Sequence, residues 1–334
     1  MNTPIRIAIN GFGRIGRNLF RLLIHNPSID VVAINDLADS KTLSHLLKYD
    51  SIHGVLKENI SYSDDHILVE DTSIPLLNKK HPIDCDWKSY NVDIVIEATG
   101  KFKTKAMAMD HITAGAKKVI LSAPPLEDSI KTIVLGVNDH LIDGTETIIS
   151  NASCTTNNAA PMIKVIDELC GIEQAYITTI HSYTTDQSLH DQPHRDLRRA
   201  RAASQSIVPT TTGAAKALTK VFPKLSNVIG GCGIRVPVPD GSLTDITFNV
   251  KKETSIEEIN NAFKKASSTN LKGILAYTED PIVSVDILGN SHSCLFDSLM
   301  TSVIGKMVKI IGWYDNEIGY SNRIIDLIIN ISKK

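Results

Sequence analysis

The stretch INGFGRIGRN (9–18) restricts this chain more than any other. Gly11, Gly13 and Gly16 stand at the spacing G-x-G-x-x-G, which carries meaning only where a strand turns into a helix. That context is present. IRIAIN (5–10) is a β-branched run, and behind the turn Ile15, Leu19, Leu22 and Leu23 fall on one helical face. In such a turn Gly11 allows the tight bend, Gly13 lets backbone approach a pyrophosphate, and Gly16 lets helix and strand pack closely. The helix start adds free N–H groups and a partial positive charge for the phosphates. DVVAIND (30–36) reads as the next strand and ends on Asp36. A carboxylate there accepts hydrogen bonds from an adenosine ribose and repels a 2′-phosphate, so the pattern predicts a dinucleotide site that favours NAD over NADP. The competing reading is an ordinary turn followed by a solvated aspartate.

VDIVIEATG (92–100) and KKVILSAP (117–124) read as further buried strands. Strand–helix alternation with nearly continuous apolar strands predicts a doubly wound parallel sheet of Rossmann type. After about residue 170 the period changes. In TDITFNVK (244–251), Ile246, Phe248 and Val250 share one face while Thr247 and Asn249 share the other, and VSVDI (283–287) alternates likewise. Alternation of this kind predicts half-buried antiparallel strands. The expected class is therefore α/β, a Rossmann-type sheet followed by an α+β domain with a largely antiparallel sheet. The closing SNRIIDLIINISKK sets Ile324, Leu327, Ile328 and Ile331 at helical spacing, a last helix able to pack back on the first domain.

Composition excludes several function classes. At 334 residues, two domains are the prior expectation. A net charge of −2 gives no electrostatic reason to expect nucleic acid or an anionic membrane as partner. The five cysteines (85, 154, 170, 232, 294) form no CxxC, which argues against a disulfide framework or a zinc site, and no metal is expected. MNTPIRIAING shows no secretory leader and no apolar run approaches the ~18 residues of a membrane span, so a cytoplasmic protein is expected.

SNASCTTNNAAP (150–161) places Cys154 among hydroxyl and amide side chains at the start of a helical pattern. A structural thiol behaves as a small hydrophobe with apolar neighbours, whereas a reactive one needs donors that stabilise its thiolate. In ITTIHSYTTDQ (177–187), His181 ends a β-branched run and offers an imidazole to take the thiol proton. Such an ion pair would hold the thiol at a pKa of roughly 3.5–7.5. Taken alone, His181 reads as a structural or solvated histidine. Arg195, Arg198, Arg199 and Arg201 precede the Thr-Thr-Thr-Gly turn of PTTTGAAKA (209–217), and hydroxyls and glycine at a helix start beside arginines make an anion site. Thiol, imidazole, dinucleotide turn and anion donors together suggest thiolate addition to an aldehyde, hydride removal by the cofactor, and a thioester.

With these motifs the chain resembles phosphorylating glyceraldehyde-3-phosphate dehydrogenase over essentially its whole length. INGFGRIGR, SNASCTTN, HSYTTDQ, RRARAA, PTTTGAAKA and WYDNEIGYSNR (313–323) carry the resemblance, in the right order. It implies a dinucleotide-binding domain over 1–153, completed by a helix at 317–334, and a catalytic domain over 154–316. It further implies Cys154 as nucleophile and His181 as its base. For NAD it implies backbone at Arg14 and Ile15, a ribose carboxylate at Asp36, Lys80 on the adenosine side, and Ser122 and Asn316 at the nicotinamide end. Thr184 and Arg235 would hold the phosphate of glyceraldehyde 3-phosphate. Ser153, Thr155, Thr212 and Gly213, with Arg199 close by, would hold the attacking inorganic phosphate. A homotetramer is implied, in which residues 182–205 line a neighbouring subunit's cofactor site. The product would be 1,3-bisphosphoglycerate.

The chain departs from the family pattern in places. Asn158 stands where many members have a second cysteine, Ile318 where tryptophan is common, and Gln192 precedes Pro193 where leucine is frequent. An interior proline costs ~3 kcal/mol, so Pro161 predicts a kink or a late start in the helix after the thiol. Cys170, Cys232 and Cys294 read as core. Cys85, between two aspartates, reads as a poor nucleophile. Two alternatives compete, an erythrose-4-phosphate dehydrogenase and a non-enzymatic binding role. The complete Thr-Gly-Ala-Ala pattern favours phosphate attack over the water attack of the first.

Overall fold

The computed structural model describes residues 3–333. It divides into two compact units, Met1–Ile133 with His140–Ala152 and Ser321–Lys334, and Val134–Asp139 with Ser153–Tyr320.

The first unit opens with strand β1 (Ile5–Asn10), helix α1 (Arg14–Leu23), β2 (Ile29–Asn35) and α2 (Ser40–Lys48). A short hairpin, β3 (Tyr49–Asp50) and β4 (Gly54–Val55), leads into the meander β5 (Ile60–Ser63), β6 (His66–Val69) and β7 (Thr72–Leu77). Then come β8 (Ile94–Glu97), α3 (Lys105–Thr113), β9 (Lys118–Leu121), β10 (Lys131–Thr132) and β11 (Ile148–Ser150). Nine strands form one sheet in the order β10-β11-β9-β8-β1-β2-β7-β6-β5, parallel from β10 through β7. Ile7, Ala8 and Ile9 are fully buried, because a central parallel strand is covered on both faces. β1 lies between β2 and β8, so the strand order reverses beside it. At such a switch point the carboxyl ends of the strands leave a crevice for ligand.

In α1 the buried residues include Gly16, Leu19, Phe20 and Leu23, at helical spacing. Ile15 and Leu22 are half-buried at the margin of that stripe.

The second unit contains α4 (Cys154–Cys170), β12 (Ile172–Ser182), β13 (Val208–Thr210), α5 (Ala214–Val221), β14 (Ile229–Val236) and β15 (Ser242–Val250). It continues through α6 (Ile256–Ser268), β16 (Leu275–Thr278), β17 (Cys294–Ile304) and β18 (Met307–Tyr314). Seven strands pair in the order β13-β14-β12-β15-β18-β17-β16, antiparallel except for β12–β14 and β16–β17. Ile246, Phe248 and Val250 are fully buried, as their alternation predicts. Helix α7 (Ile318–Ser332) closes the chain, and from Ser321 onward it belongs to the first unit. Ile324, Leu327 and Ile328 have no exposed surface.

One expectation fails, and one alternative of a second falls away. VSVDI is not a strand. Ser284–Ile287 forms a 3₁₀ turn in which Asp286 accepts the Val283 N–H at 2.7 Å; Val283 and Val285 face solvent and only Ile287 is buried. Local capping decided where a few alternating residues could not. Of the two outcomes expected from Pro161, a kink or a late start, the late start does not occur. Helix α4 begins at Cys154, because the Ser153 hydroxyl accepts the Thr156 N–H at 3.1 Å and caps it there, and it runs past Pro161 to Cys170.

Candidate active site

The residues of the first unit expected to bind cofactor lie along the carboxyl edge of its sheet. Gly11 has φ +97°, and a Cβ there would lie 2.7 Å from Thr99 N. A Cβ on Gly16 would meet Gly11 O at 2.2 Å, so helix and strand approach as closely as backbone allows. At Gly13, the cap residue of α1, a Cβ would point into open space and no side chain occupies the helix start. Arg14 pairs its guanidinium with Asp50, at 2.5 and 3.2 Å, which leaves the backbone of Arg14 and Ile15 as its offering to a phosphate. Asp36 is fixed toward the turn, accepting from Phe12 N at 2.7 Å and Ala38 N at 3.0 Å. Lys80 is exposed three residues past β7, and Ser122 follows β9 with its N–H on Glu97 O at 3.0 Å. An open helix start, a glycine cradle and an adjacent carboxylate fit a dinucleotide.

The second unit holds the thiol. Cys154 is the first residue of α4, and its Sγ lies 3.4 Å from His181 Nε2. His181 sits near the end of β12, paired in register with Arg235 of β14. Arg235 Nη1 lies 2.6 Å from His181 Nδ1 and donates to Ser182 O at 2.9 Å. The Ser182 carbonyl is also 2.7 Å from His181 Nδ1. The two neighbours of Nδ1 ask for opposite tautomers: Arg235 can only donate and needs Nδ1 bare, whereas the Ser182 carbonyl can only accept and needs its proton. Nε2 can take the thiol proton only in the second tautomer, with Arg235 donating to the Ser182 carbonyl alone. Tyr314 meets the His181 ring edge-on at 5.9 Å, and its hydroxyl bonds Thr155 Oγ1 at 2.9 Å and Thr179 Oγ1 at 3.0 Å.

This environment works against the expected ion pair. Burial pushes the Cys154 thiol above its ordinary value, with Arg235 pulling the other way. Burial, and then the Arg235 cation, hold the His181 imidazole down at about 3. Sulfur therefore keeps its proton and the imidazole stays neutral near pH 7. Desolvation disfavours both charges at once, and it outweighs the help Arg235 gives the thiolate.

Burial also raises three of the other cysteines, while Cys232, expected in the core, is only half-buried. Burial raises Cys85 to about 12, with Asp84 second, so the flanking carboxylate matters less than desolvation. Burial likewise lifts Cys170 to about 11 and Cys294 further.

The expected anion residues divide. Arg235 uses one nitrogen, and its Nε and Nη2 make no hydrogen bond among the described residues. Thr212 Oγ1 accepts Ala214 N at 3.2 Å and Gly213 caps α5. Ser153 is committed to the α4 cap, and Thr155 turns its hydroxyl inward to Tyr314. Thr184 Oγ1 and Arg199 Nη1 both donate to Asp186, while Arg199 Nε bonds Thr210 Oγ1 at 3.0 Å. Asn316 Oδ1 accepts from Ser182 and Ser242 at 2.8 and 2.7 Å, leaving its amide nitrogen without a hydrogen bond among the described residues. Tyr314 and Asp186 were missed as individuals, although both lie inside motifs quoted above, WYDNEIGYSNR and HSYTTDQ.

Comparison with known proteins shows the family. Residues 5–105 match the model for the glyceraldehyde 3-phosphate dehydrogenase NAD binding domain, and residues 153–316 that for the family's C-terminal domain. The chain belongs to the glyceraldehyde-3-phosphate dehydrogenase family. It is 54% identical to glyceraldehyde-3-phosphate dehydrogenase 2 of Streptomyces avermitilis over 333 residues, 99% of each chain. It is 51% identical to the Geobacillus stearothermophilus enzyme over 332 residues, again 99% of each. Its cofactor is NAD, and the cradle around Gly11, Gly16 and Asp36 is the part of the first unit that fits it.

Proposed function

We propose that this chain oxidises D-glyceraldehyde 3-phosphate, with NAD and inorganic phosphate, to 1,3-bisphosphoglycerate in the glycolytic and gluconeogenic interconversion. The observation that carries this is Cys154 Sγ at 3.4 Å from His181 Nε2 on the first turn of a helix. As sulfur adds to the aldehyde carbon, its proton passes to Nε2, so attack and deprotonation occur together and no free thiolate is needed beforehand. NAD, when bound, accepts the hydride of the resulting thiohemiacetal. The thioester left on Cys154 is then attacked by phosphate.

Arg235 is the cation best suited to the aldehyde's phosphate, having two free nitrogens on a half-buried side chain; Thr184 supports it. Thr212 and the Gly213 backbone open α5 and supply hydroxyl and N–H donors for the attacking phosphate; Ser153, Thr155 and Arg199 can join them only by giving up the bonds they make here. Asp36 takes the ribose hydroxyls of NAD, Lys80 flanks its adenosine side, and Ser122 and Asn316 take the nicotinamide end. We assign residues 1–153 with 317–334 to cofactor binding and 154–316 to catalysis. The working form is a cytoplasmic homotetramer. Leu189, Leu197 and Ile207, largely exposed on the segment between β12 and β13, support association through that segment. Among the described residues no helix is long and apolar enough to cross a membrane.

Steady-state turnover with each aldehyde, with and without phosphate, tests the reaction. Turnover of glyceraldehyde 3-phosphate should depend steeply on phosphate, and Thr212→Ala should raise the KM for phosphate severalfold more than the KM for aldehyde. A rate indifferent to phosphate, or faster turnover of erythrose 4-phosphate, refutes it. Light scattering at micromolar protein tests the tetramer.

A further inference from the structure

Beneath the carboxyl ends of the first unit's strands runs a string of buried polar groups with no part in the steps above. Lys79 N donates to Asn35 Oδ1 at 2.8 Å, Asn35 Nδ2 to Asn10 Oδ1 at 2.7 Å, and Asn10 Nδ2 to Glu97 Oε2 at 2.5 Å. From the opposite side Trp87 Nε1 donates to His111 Nδ1 at 3.0 Å. An indole can only donate, so Nδ1 is bare and the imidazole proton sits on Nε2. That proton faces Glu97 Oε2 at 3.1 Å. The other Glu97 oxygen accepts Thr99 N at 2.9 Å and the Thr99 hydroxyl. Asn10, Asn35, Glu97 and His111 are all at least 95% buried.

The direction of every bond in this string is forced. The Lys79 N–H cannot accept, so it fixes the Asn35 amide, which fixes Asn10. The Trp87 indole fixes His111 in the same way. Both chains of donors, and Thr99 twice, terminate on one side chain. Only a carboxylate, with two oxygens and about four acceptor sites, can end all four.

The string also ties together the places a dinucleotide must touch. Asn10 precedes Gly11, Asn35 precedes Asp36, and Thr99 forms the backbone wall 2.7 Å from where a Gly11 Cβ would stand. We propose that Glu97, oriented by His111, is the positioning residue of the cofactor cradle. It holds the Thr99 wall, the glycine turn and the Asp36 strand end in mutual register before NAD arrives. Preorganisation of this kind acts on affinity, because the ordering cost is met in folding instead of binding. The proposal rests on the NAD assignment.

Calorimetric titration of NAD into the full-length protein, beside thermal unfolding without NAD, tests it. The wild type must bind NAD; if it does not, the cofactor assignment itself fails. Glu97→Gln presents an amide to donors on one side, and should weaken NAD binding by about tenfold or more. His111→Leu should weaken it severalfold, whereas His111→Gln, which can both donate to Glu97 and accept from Trp87, should stay within about twofold of wild type. In nitrogen–proton spectra the Trp87 indole signal should be displaced in His111→Leu and restored in His111→Gln. A merely structural network predicts a lowered melting temperature with unchanged NAD affinity in the folded variants, and that result overturns the proposal. Should Glu97→Gln fail to fold, Thr99→Val, which removes one donor at constant shape, carries the same affinity test.

Discussion

The two units hold their buried polar groups in opposite ways. At the edge of the first, every donor in the Glu97 string meets an acceptor, and the shape of the cradle follows from backbone, glycines and satisfied amides. At the thiol of the second, burial works against the charged forms of the groups that react. Cys154 is pushed up, His181 is pushed down, and Arg235 is left with nitrogens to spare. Recognition asks for a rigid surface that changes little when ligand binds. Proton transfer asks for groups kept from settling their charges before the substrate is present.

The largest test of this contrast separates the units outright. Cys154→Ser should lower turnover more than about a thousandfold, because an alcohol beside a neutral imidazole is a far weaker nucleophile. NAD affinity measured by calorimetry should not move. A comparable loss of NAD binding would mean that thiol and cradle are not separable functions.

Next in size is a pH effect confined to the second unit. His181 titrates at about 3 in the fold and near 6.5 in the unfolded chain. Above pH 6.5 it is neutral in both states and adds no pH dependence. As pH falls from 6.5 toward 3 the unfolded chain takes a proton that the folded one refuses, so stability declines by up to about 1.4 kcal/mol per pH unit. Urea melts across this window should be less steeply pH-dependent for His181→Asn than for wild type. Equal slopes would place the imidazole in a far more solvated setting.

A smaller effect belongs to the cradle. Asp36 accepts Phe12 N and Ala38 N, which fixes its carboxylate beside the glycine turn. Losing one charged hydrogen bond costs ~1.5–3 kcal/mol, so wild type should prefer NAD over NADP at least about tenfold in kcat/KM. Asp36→Gly should narrow that ratio. Equal specificity constants in the wild type would remove Asp36 from recognition.

The smallest concerns the approach to the thiol. Ala152, fully buried, has φ +56° two residues before Cys154, a left-handed conformation that costs a non-glycine residue about 1 kcal/mol or more. Ala152→Gly should be neutral to slightly stabilising by chemical denaturation. A clear loss of stability would show that the Ala152 methyl contributes packing worth more than the strain.

What the sequence determined by itself is the part governed by short-range sterics and periodicity. A glycine at a φ of +97°, another whose Cβ would strike the Gly11 carbonyl, a Ser153 cap ahead of Cys154, and buried faces at period two or near 3.6 are all local. They need only neighbouring residues to be legible, and the family's motifs recorded them in order. Tertiary structure decided the rest. His181 and Arg235 are 54 residues apart and meet because β12 and β14 pair in one register. Whether the thiol and imidazole are charged depends on how much water that meeting excludes, which no motif encodes. The alternation at 283–287 lost to a local cap because no strand pairs with it, and Thr155, which reads as a phosphate ligand, turns to a tyrosine 159 residues away. Glu97 shows the same division most plainly. In sequence it is one acid inside an apolar strand, and only the convergence of Asn10, Thr99 and His111 explains why a carboxylate can be buried there.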